Sequence, residues 1–292
     1  TMAASTTAVT VSYTEGGVTK TTTTPVTVTS ISNTLASNSW ATIRAVSDAG
    51  KGANYWSVGD AKGITINGKV GATTISNLSI SVFILGFNHN ASREGSNRIH
   101  FQIGKINGTL VGLVDSNYSN YTSTTGAFTM NTSNTNSGGW NNSHMRKTVL
   151  GSNSASATSP TANTLLAALP ADLRAVMKPA TKYSDNTGGG SNTASYVTST
   201  TDLLPLLSEF EYHGATTYAN SAEKNYQAQY DYYKAGNSKV HYKHNATGTA
   251  APAWCRSVYS GGSGYFCLVN SDGSAGRYYA ANSWALAPCF FV

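Results

Sequence analysis

Near the start of the chain, apolar residues fall on every second position. Val9, Val11 and Tyr13 alternate with polar residues, Val18 follows, and Val26 and Val28 resume the pattern after it. Glu15-Gly16-Gly17 interrupts the alternation. A period of two on either side of a glycine turn predicts a β hairpin over 8–29. Two strands alone are at best marginal in water, so residues 1–34 read as the end of a preceding β domain or as a linker hairpin. From Trp40 to about Val114 strand patterns dominate. Ile64 and Ile66 precede Asn67-Gly68, a hairpin signal. Val82-Phe83-Ile84-Leu85-Gly86-Phe87 is a continuous apolar run, which predicts a strand buried on both faces. Ile99, Phe101 and Ile103 alternate, then Leu110 and Leu113 follow across Asn107-Gly108, a second hairpin signal.

The pattern then changes. Residues 118–139 are mostly Ser, Thr, Asn and Gly and predict a long ordered loop. Ser159-Pro160 predicts a helix start, with Ser as N-cap and Pro in the first turn. Leu165, Leu166 and Leu169 would line its buried face, and Pro170 starts a further turn carrying Leu173, Val176 and Met177. Leu203, Leu204, Leu206, Leu207 and Phe210 form an apolar segment broken by Pro205. Asn220 with Glu223 three residues on predicts another helix start. Tyr226, Tyr230 and Tyr233 follow at helical spacing and are expected to pack. The class this predicts is α+β, with short helices packed on antiparallel sheets.

Composition narrows the function. Ser, Thr and Asn number 36, 38 and 26 among 292 residues, and only 11% are charged, against about 25% in ordinary soluble domains. That excludes a coiled coil, while 40% hydrophobic residues suffice for a core. The net charge of +6 comes from 19 basic and 13 acidic residues, and the basic ones, such as Arg93, Arg98, Lys105, Arg146, Lys147, Arg174, Lys178 and Lys182, are scattered. Nucleic acid is therefore not an expected partner. No run of about 18 apolar residues occurs, so no membrane insertion is expected. Thr1-Met2 leads into small residues without a signal-peptide pattern, so the start reads as lying inside a longer chain. Cys255, Cys267 and Cys289 are odd in number and lack zinc-site spacing; thiols are the expected state, with a Cys255–Cys267 bridge as the alternative.

Residues 250–292 differ from the rest. They hold nine aromatic residues in 43 positions and no Lys, Glu, Gln, Thr, Ile, Met or His. Tyr interleaved with Ser, Gly and Asn is the composition of antibody combining sites, where Tyr supplies rigid contact area and the small polar residues adapt. Trp254, Phe266, Val269, Leu286 and Phe290 read as core. Tyr259, Ser260, Gly262, Tyr265, Leu268, Asn270, Asp272, Arg277, Tyr278, Tyr279 and Asn282 read as solvent-facing and as the candidate ligand-binding residues.

Four segments carry a family resemblance: Trp140-Asn141-Asn142-Ser143-His144-Met145-Arg146, Thr201-Asp202-Leu203-Leu204-Pro205-Leu206-Leu207-Ser208-Glu209-Phe210-Glu211, Trp254-Cys255-Arg256-Ser257, and Ala287-Pro288-Cys289-Phe290. Together they resemble the C-type-lectin-fold proteins of phages and gut bacteria, related in fold to the formylglycine-generating enzyme, over roughly 35–292. The tail resembles the variable region of a protein diversified by a retroelement, spanning about 253–285. Randomising the adenines of an Asn AAC codon reaches most amino acids but not Lys, Glu, Gln, Met or Trp; the tail lacks the first four, and Trp254 and Trp284 would be fixed scaffold. Val11 to Lys20 resembles the end of a bacterial immunoglobulin-like repeat. Cys255, Val258 and Cys289 stand where relatives often carry Leu, Pro and Gly. The resemblance implies a receptor-binding protein of a phage tail or bacterial cell surface. Its partner would be a protein or glycan on a target cell, no cofactor would be needed, and a homotrimer in a tail fibre would suit the role.

Enzyme readings are weaker. Asp202, Glu209 and Glu211 are the acidic candidates, but their spacing specifies no glycosidase pair. Their expected role is structural, Glu209 or Asp202 buried against Arg146 or Arg256. The six histidines include no His-Glu-x-x-His. Asn270, Asp272 and Asn282 are a thin ligand set for calcium. The alternatives carried forward are a lectin of fixed glycan specificity and a hydrolase of cell-surface glycans.

Overall fold

The computed structural model describes residues 5–28, 30–121 and 124–292. The fold is mixed α+β, mostly sheet with short helices. Strands β1 (Ser5–Glu15) and β2 (Val18–Val28) form the expected hairpin in unbroken register, closing at Glu15↔Val18. Gly16 and Gly17 turn it at φ +58° and +78°, the left-handed pair that a two-residue hairpin turn requires. Val9, Val11, Tyr13 and Val18 share one face and are exposed. Thr1 and Met2 lie outside the described residues, as do the side chains of Val26 and Val28.

The body contains β3 (Ala61–Val70), β4 (Thr73–Phe87), β5 (Ile99–Ile106), β6 (Thr109–Gly112), β7 (Ala180–Asp185), β8 (Val197–Asp202), β9 (His241–Lys243), β10 (Ala246–Ala251), β11 (Ala253–Val258), β12 (Tyr265–Val269), β13 (Ala275–Tyr279) and β14 (Cys289–Phe291). The large sheet runs β10-β9-β6-β5-β4-β3, antiparallel except for β6 with β9. β14 returns to pair with β5 at His100–Gln102, so the end of the chain is tied into that sheet. Strands β7 and β8 form a pair, and β11-β12-β13 form a separate antiparallel sheet.

The apolar run in β4 behaves as its pattern predicts, because both faces of the large sheet are covered. Val82 and Ile84 join a core with Trp40, Phe101 and Phe290, whereas Phe83 and Leu85 join another with Tyr212, Tyr230 and Phe291. The helix Trp40–Asp48, capped by the Ser39 hydroxyl, puts Trp40, Ile43 and Val46 into the first. Asn107 and Gly108, at φ +49° and +81°, make the expected turn from β5 to β6.

Three local expectations are corrected. Asn67-Gly68 does not end a strand; β3 runs through it as a bulge and turns at Gly71-Ala72. The Asn67 side chain accepts the Asn77 amide across the pair, which fixes register instead of reversing the chain. At Gly71 (φ +56°) a Cβ would sit 1.9 Å from the Gly126 carbonyl oxygen, so only glycine fits the actual turn. Ser159-Pro160 starts no helix: the helix is Leu165–Ala168, and Thr164 caps it by accepting the Ala167 amide. Leu165, Leu166 and Leu169 are buried all the same, as are Leu173, Val176 and Met177 around the turn that Pro170 begins. Asn220 caps only a 3-10 turn, Ser221–Asn225. The turn ends at Asn225 and the next helix starts only at Asp231, with Tyr230 in an extended conformation before it, so Tyr226, Tyr230 and Tyr233 do not share a helix face. Tyr230 and Tyr233 are nonetheless core residues.

Among the described residues no helix is long and apolar enough to cross a membrane.

Candidate functional site

The tail stands on a buried ionic frame. Arg256, in the centre of β11, has no exposed surface. Its guanidinium donates to both Glu211 oxygens, to Ser184 Oγ at 2.9 Å and to the Leu206 carbonyl at 2.9 Å. Glu211 is held in place by a capping box with Ser208 at the start of the helix Glu209–His213. Lys182 donates to Glu211 at 2.9 Å, to Glu94, and to Tyr230 Oη at 3.0 Å. Two cations and two carboxylates thus balance in a site from which water is excluded. Burial alone would raise the Glu211 carboxyl, but Arg256 and Lys182 outweigh it and hold it well below the carboxylate range. His89, Glu94 and Glu211 present ligand atoms within 4.8 Å of one another, as a metal site would. The Lys182 ammonium already bonds both carboxylates and His89 stacks on Tyr230 at 3.8 Å, so a cation is already in place there.

The expected acid–base pairing is met in part. Arg146 Nε pairs with Asp202 at 2.7 Å, and Trp140, Ser152 and Thr200 also donate to that carboxylate. Glu209 has no cation; it accepts the backbone amides of Tyr218 and Ala219 instead. Arg256 pairs with Glu211, not with Glu209. Asp202, Glu209 and Glu211 are fully buried and committed to these bonds. Cys255, Cys267 and Cys289 are buried free thiols, and burial pushes Cys289 up to about 12. Trp254, Phe266, Val269, Leu286 and Phe290 are core, as expected.

Over this frame lies a concavity of about 600 Å³ between β12, β13 and the loop 259–264. Seven of the eleven candidate residues line it: Tyr259, Gly262, Tyr265, Asn270, Arg277, Tyr278 and Tyr279. Register puts Tyr265 opposite Tyr279, and their rings stack at 4.4 Å. Tyr278 meets Trp284 edge-on at 5.0 Å. The Arg277 guanidinium lies over Tyr218 at 4.7 Å and Tyr259 at 4.5 Å. Ser260 is half-buried beside the concavity, donating to the Tyr218 carbonyl. Asp272 is exposed at the β12–β13 turn, where hydrogen bonds from Ser274 hold its carboxyl low.

Two candidates are corrected. Leu268 is 1% exposed, because β12 is the middle strand of its sheet and is covered on both faces. Asn282 is 5% exposed and donates to the Ser119 carbonyl, covered by the 118–121 loop. Two contributors lie outside the tail. Tyr218 lines the concavity, and the Glu209 carboxylate fixes its amide. Buried Asn136 points its amide at the carbonyls of Tyr259, Gly262 and Tyr265, which sets the shape of the loop. Position in a Ser/Thr/Asn-rich loop gave no sign of this role.

No curated protein and no solved structure matches the chain. The family profile of a domain of unknown function (DUF6273) matches residues 113–292, which span β7 to β14, the ionic frame except Glu94, and the whole concavity. With well over half of its length matched, the chain belongs to the DUF6273 family.

Proposed function

We propose that this protein is a ligand-binding protein of a phage tail or bacterial surface. It presents a diversified, tyrosine-rich face on a C-type-lectin-like scaffold to a protein or glycan of a target cell. The observation that carries this reading is the separation of layers within one stretch of about thirty residues. Trp254, Cys255, Arg256, Cys267 and Leu268 are buried, Arg256 being bonded into the ionic frame, while Arg277, Tyr278 and Tyr279 are exposed. Exposed rings on a rigid support give contact area at small entropic cost, and exposed aromatic clusters on a soluble surface mark binding sites. The mixed α+β architecture, with short helices on antiparallel sheets and the chain end locked against β5, is compatible with a lectin-like frame.

The test is the double substitution Tyr278→Ala/Tyr279→Ala, read on a glycan array, on immobilised cell-envelope fractions and by thermal melting. The two rings are 42% and 41% exposed. Their loss should weaken binding to any captured probe more than about 30-fold, the effect of losing an interface anchor. Stability should change by less than about 1 kcal/mol, as for surface positions with modest packing. Unchanged binding with a large drop in melting temperature would make the rings packing residues.

A further inference from the structure

We infer that the ligand of this face carries a carboxylate, and that its class is an acidic glycan, one built with uronate or sialate sugars. The inference rests on the ligand-binding reading above and narrows it. Arg277 is the observation that carries it. Buried Arg146 and Arg256 are each paired with a carboxylate, yet among the described residues the Arg277 guanidinium has neither a carboxylate partner nor a hydrogen bond. Its contacts are the faces of Tyr218 and Tyr259 at 4.7 and 4.5 Å. Cation–π contact holds the group in place without using its N–H donors. A positioned guanidinium with free donors is suited to a carboxylate, which it grips through two parallel hydrogen bonds. The concavity is lined by Tyr, Gly, Asn and this one Arg, so its single formal charge is positive.

The same lining favours a sugar over an acidic peptide. No aliphatic side chain lines the concavity, so there is no slot for a Leu, Ile or Met anchor. Tyr265 and Tyr279 form a stacked pair, and Tyr278 stands edge-on beside Tyr279. Ring faces beside phenol hydroxyls match a pyranose, which has a C–H face and a hydroxyl rim.

The experiment uses the whole chain in 0.15 M salt, in which long-range attraction is screened beyond about 8 Å. Binding is measured to polygalacturonate, to its fully methyl-esterified form, to polysialate and to polyglutamate. The variants are Arg277→Gln, Arg277→Lys and, as a charge control at a different surface, Lys51→Gln. The expected result is binding to polygalacturonate or polysialate at least tenfold tighter than to the methyl ester. Arg277→Gln should abolish that preference, Arg277→Lys should keep part of it, and Lys51→Gln should keep it whole. Equal binding of acid and ester would overturn the inference and leave the ligand-binding reading standing. Polyglutamate binding as tightly as the acidic glycans would assign an acidic protein ligand and overturn it too. So would equal losses in Arg277→Gln and Lys51→Gln, or binding to none of the acidic probes. The tyrosine test separates these failures from failure of the ligand-binding reading.

Discussion

Arg256→Met should lose most or all of the domain's stability. The side chain is fully buried and supplies one of two cations that neutralise Glu94 and Glu211. Removing it leaves a net negative charge where water cannot reach, and strands the Ser184 and Leu206 acceptors. Breaking a buried pair from one side costs about 3–5 kcal/mol, against a total stability of about 5–15 kcal/mol for an ordinary domain. The double variant Arg256→Met/Glu211→Met restores charge balance, because Lys182 keeps Glu94. It should therefore recover part of the loss. Urea denaturation of the single and double variants gives the coupling directly. A single variant within about 1 kcal/mol of the parent would mean that the frame does not hold the tail.

Acidification should unfold the protein between about pH 5 and 3. All six histidines have pKa values below the ordinary value, chiefly through burial, with His89 at about 3 and His213 and His241 at about 4. A histidine whose folded pKa is depressed contributes stability that is present above its unfolded pKa near 6.5. That stability is lost as pH falls toward the folded value. All three histidines act in the same direction, so their losses add as pH falls below the ordinary histidine value. Buried Glu223 works in the opposite sense. Burial raises it to about 7, so its contribution is present below about 4.5 and lost as pH rises toward 7. Glu94 and Glu209 are raised by burial as well and act in the same direction. The two sets oppose each other between pH 4.5 and 6.5. Below 4.5 the carboxyls are protonated in both states and only the histidine loss remains, joined by Glu211. Circular dichroism against pH should show a shallow change near neutrality and a steep one in acid. A protein still folded at pH 3 would contradict the burial of neutral histidines.

What the sequence made legible follows the range of the interactions involved. The hairpin at Gly16-Gly17, the turn at Asn107-Gly108 and the doubly buried strand at 82–85 are short-range patterns, and all form as read. Asn67-Gly68 carries the same local signal as Asn107-Gly108. It stays in a strand because the cross-strand bond from Asn77 and the crowding of Gly71 against Gly126 place the turn three residues later. No local pattern contains that information. In the tail, composition alone picked out seven residues of the concavity, since the Tyr, Gly and Asn vocabulary is local. It misplaced Leu268 and Asn282, because burial there is imposed by a strand on either side and by the loop from Ser119. Tyr218 and Asn136 reach the site from more than 30 residues away, and only the fold brings them there. The ionic frame is legible only as a set of candidates: Asp202 with Arg146 is met, whereas Glu211 and not Glu209 answers Arg256.

The central claim is that selection changes the exposed layer of 253–285 and preserves the layer beneath it. Sequencing this locus across sibling isolates tests it without knowledge of any ligand. The account predicts amino-acid replacements gathered at exposed positions such as Tyr259, Tyr265, Arg277, Tyr278 and Tyr279, at codons bearing adenine in a template copy. Trp254, Arg256, Cys267, Leu268 and the residues of the ionic frame should stay unchanged. Replacements spread evenly along the chain, or a concavity identical in every isolate, would contradict it.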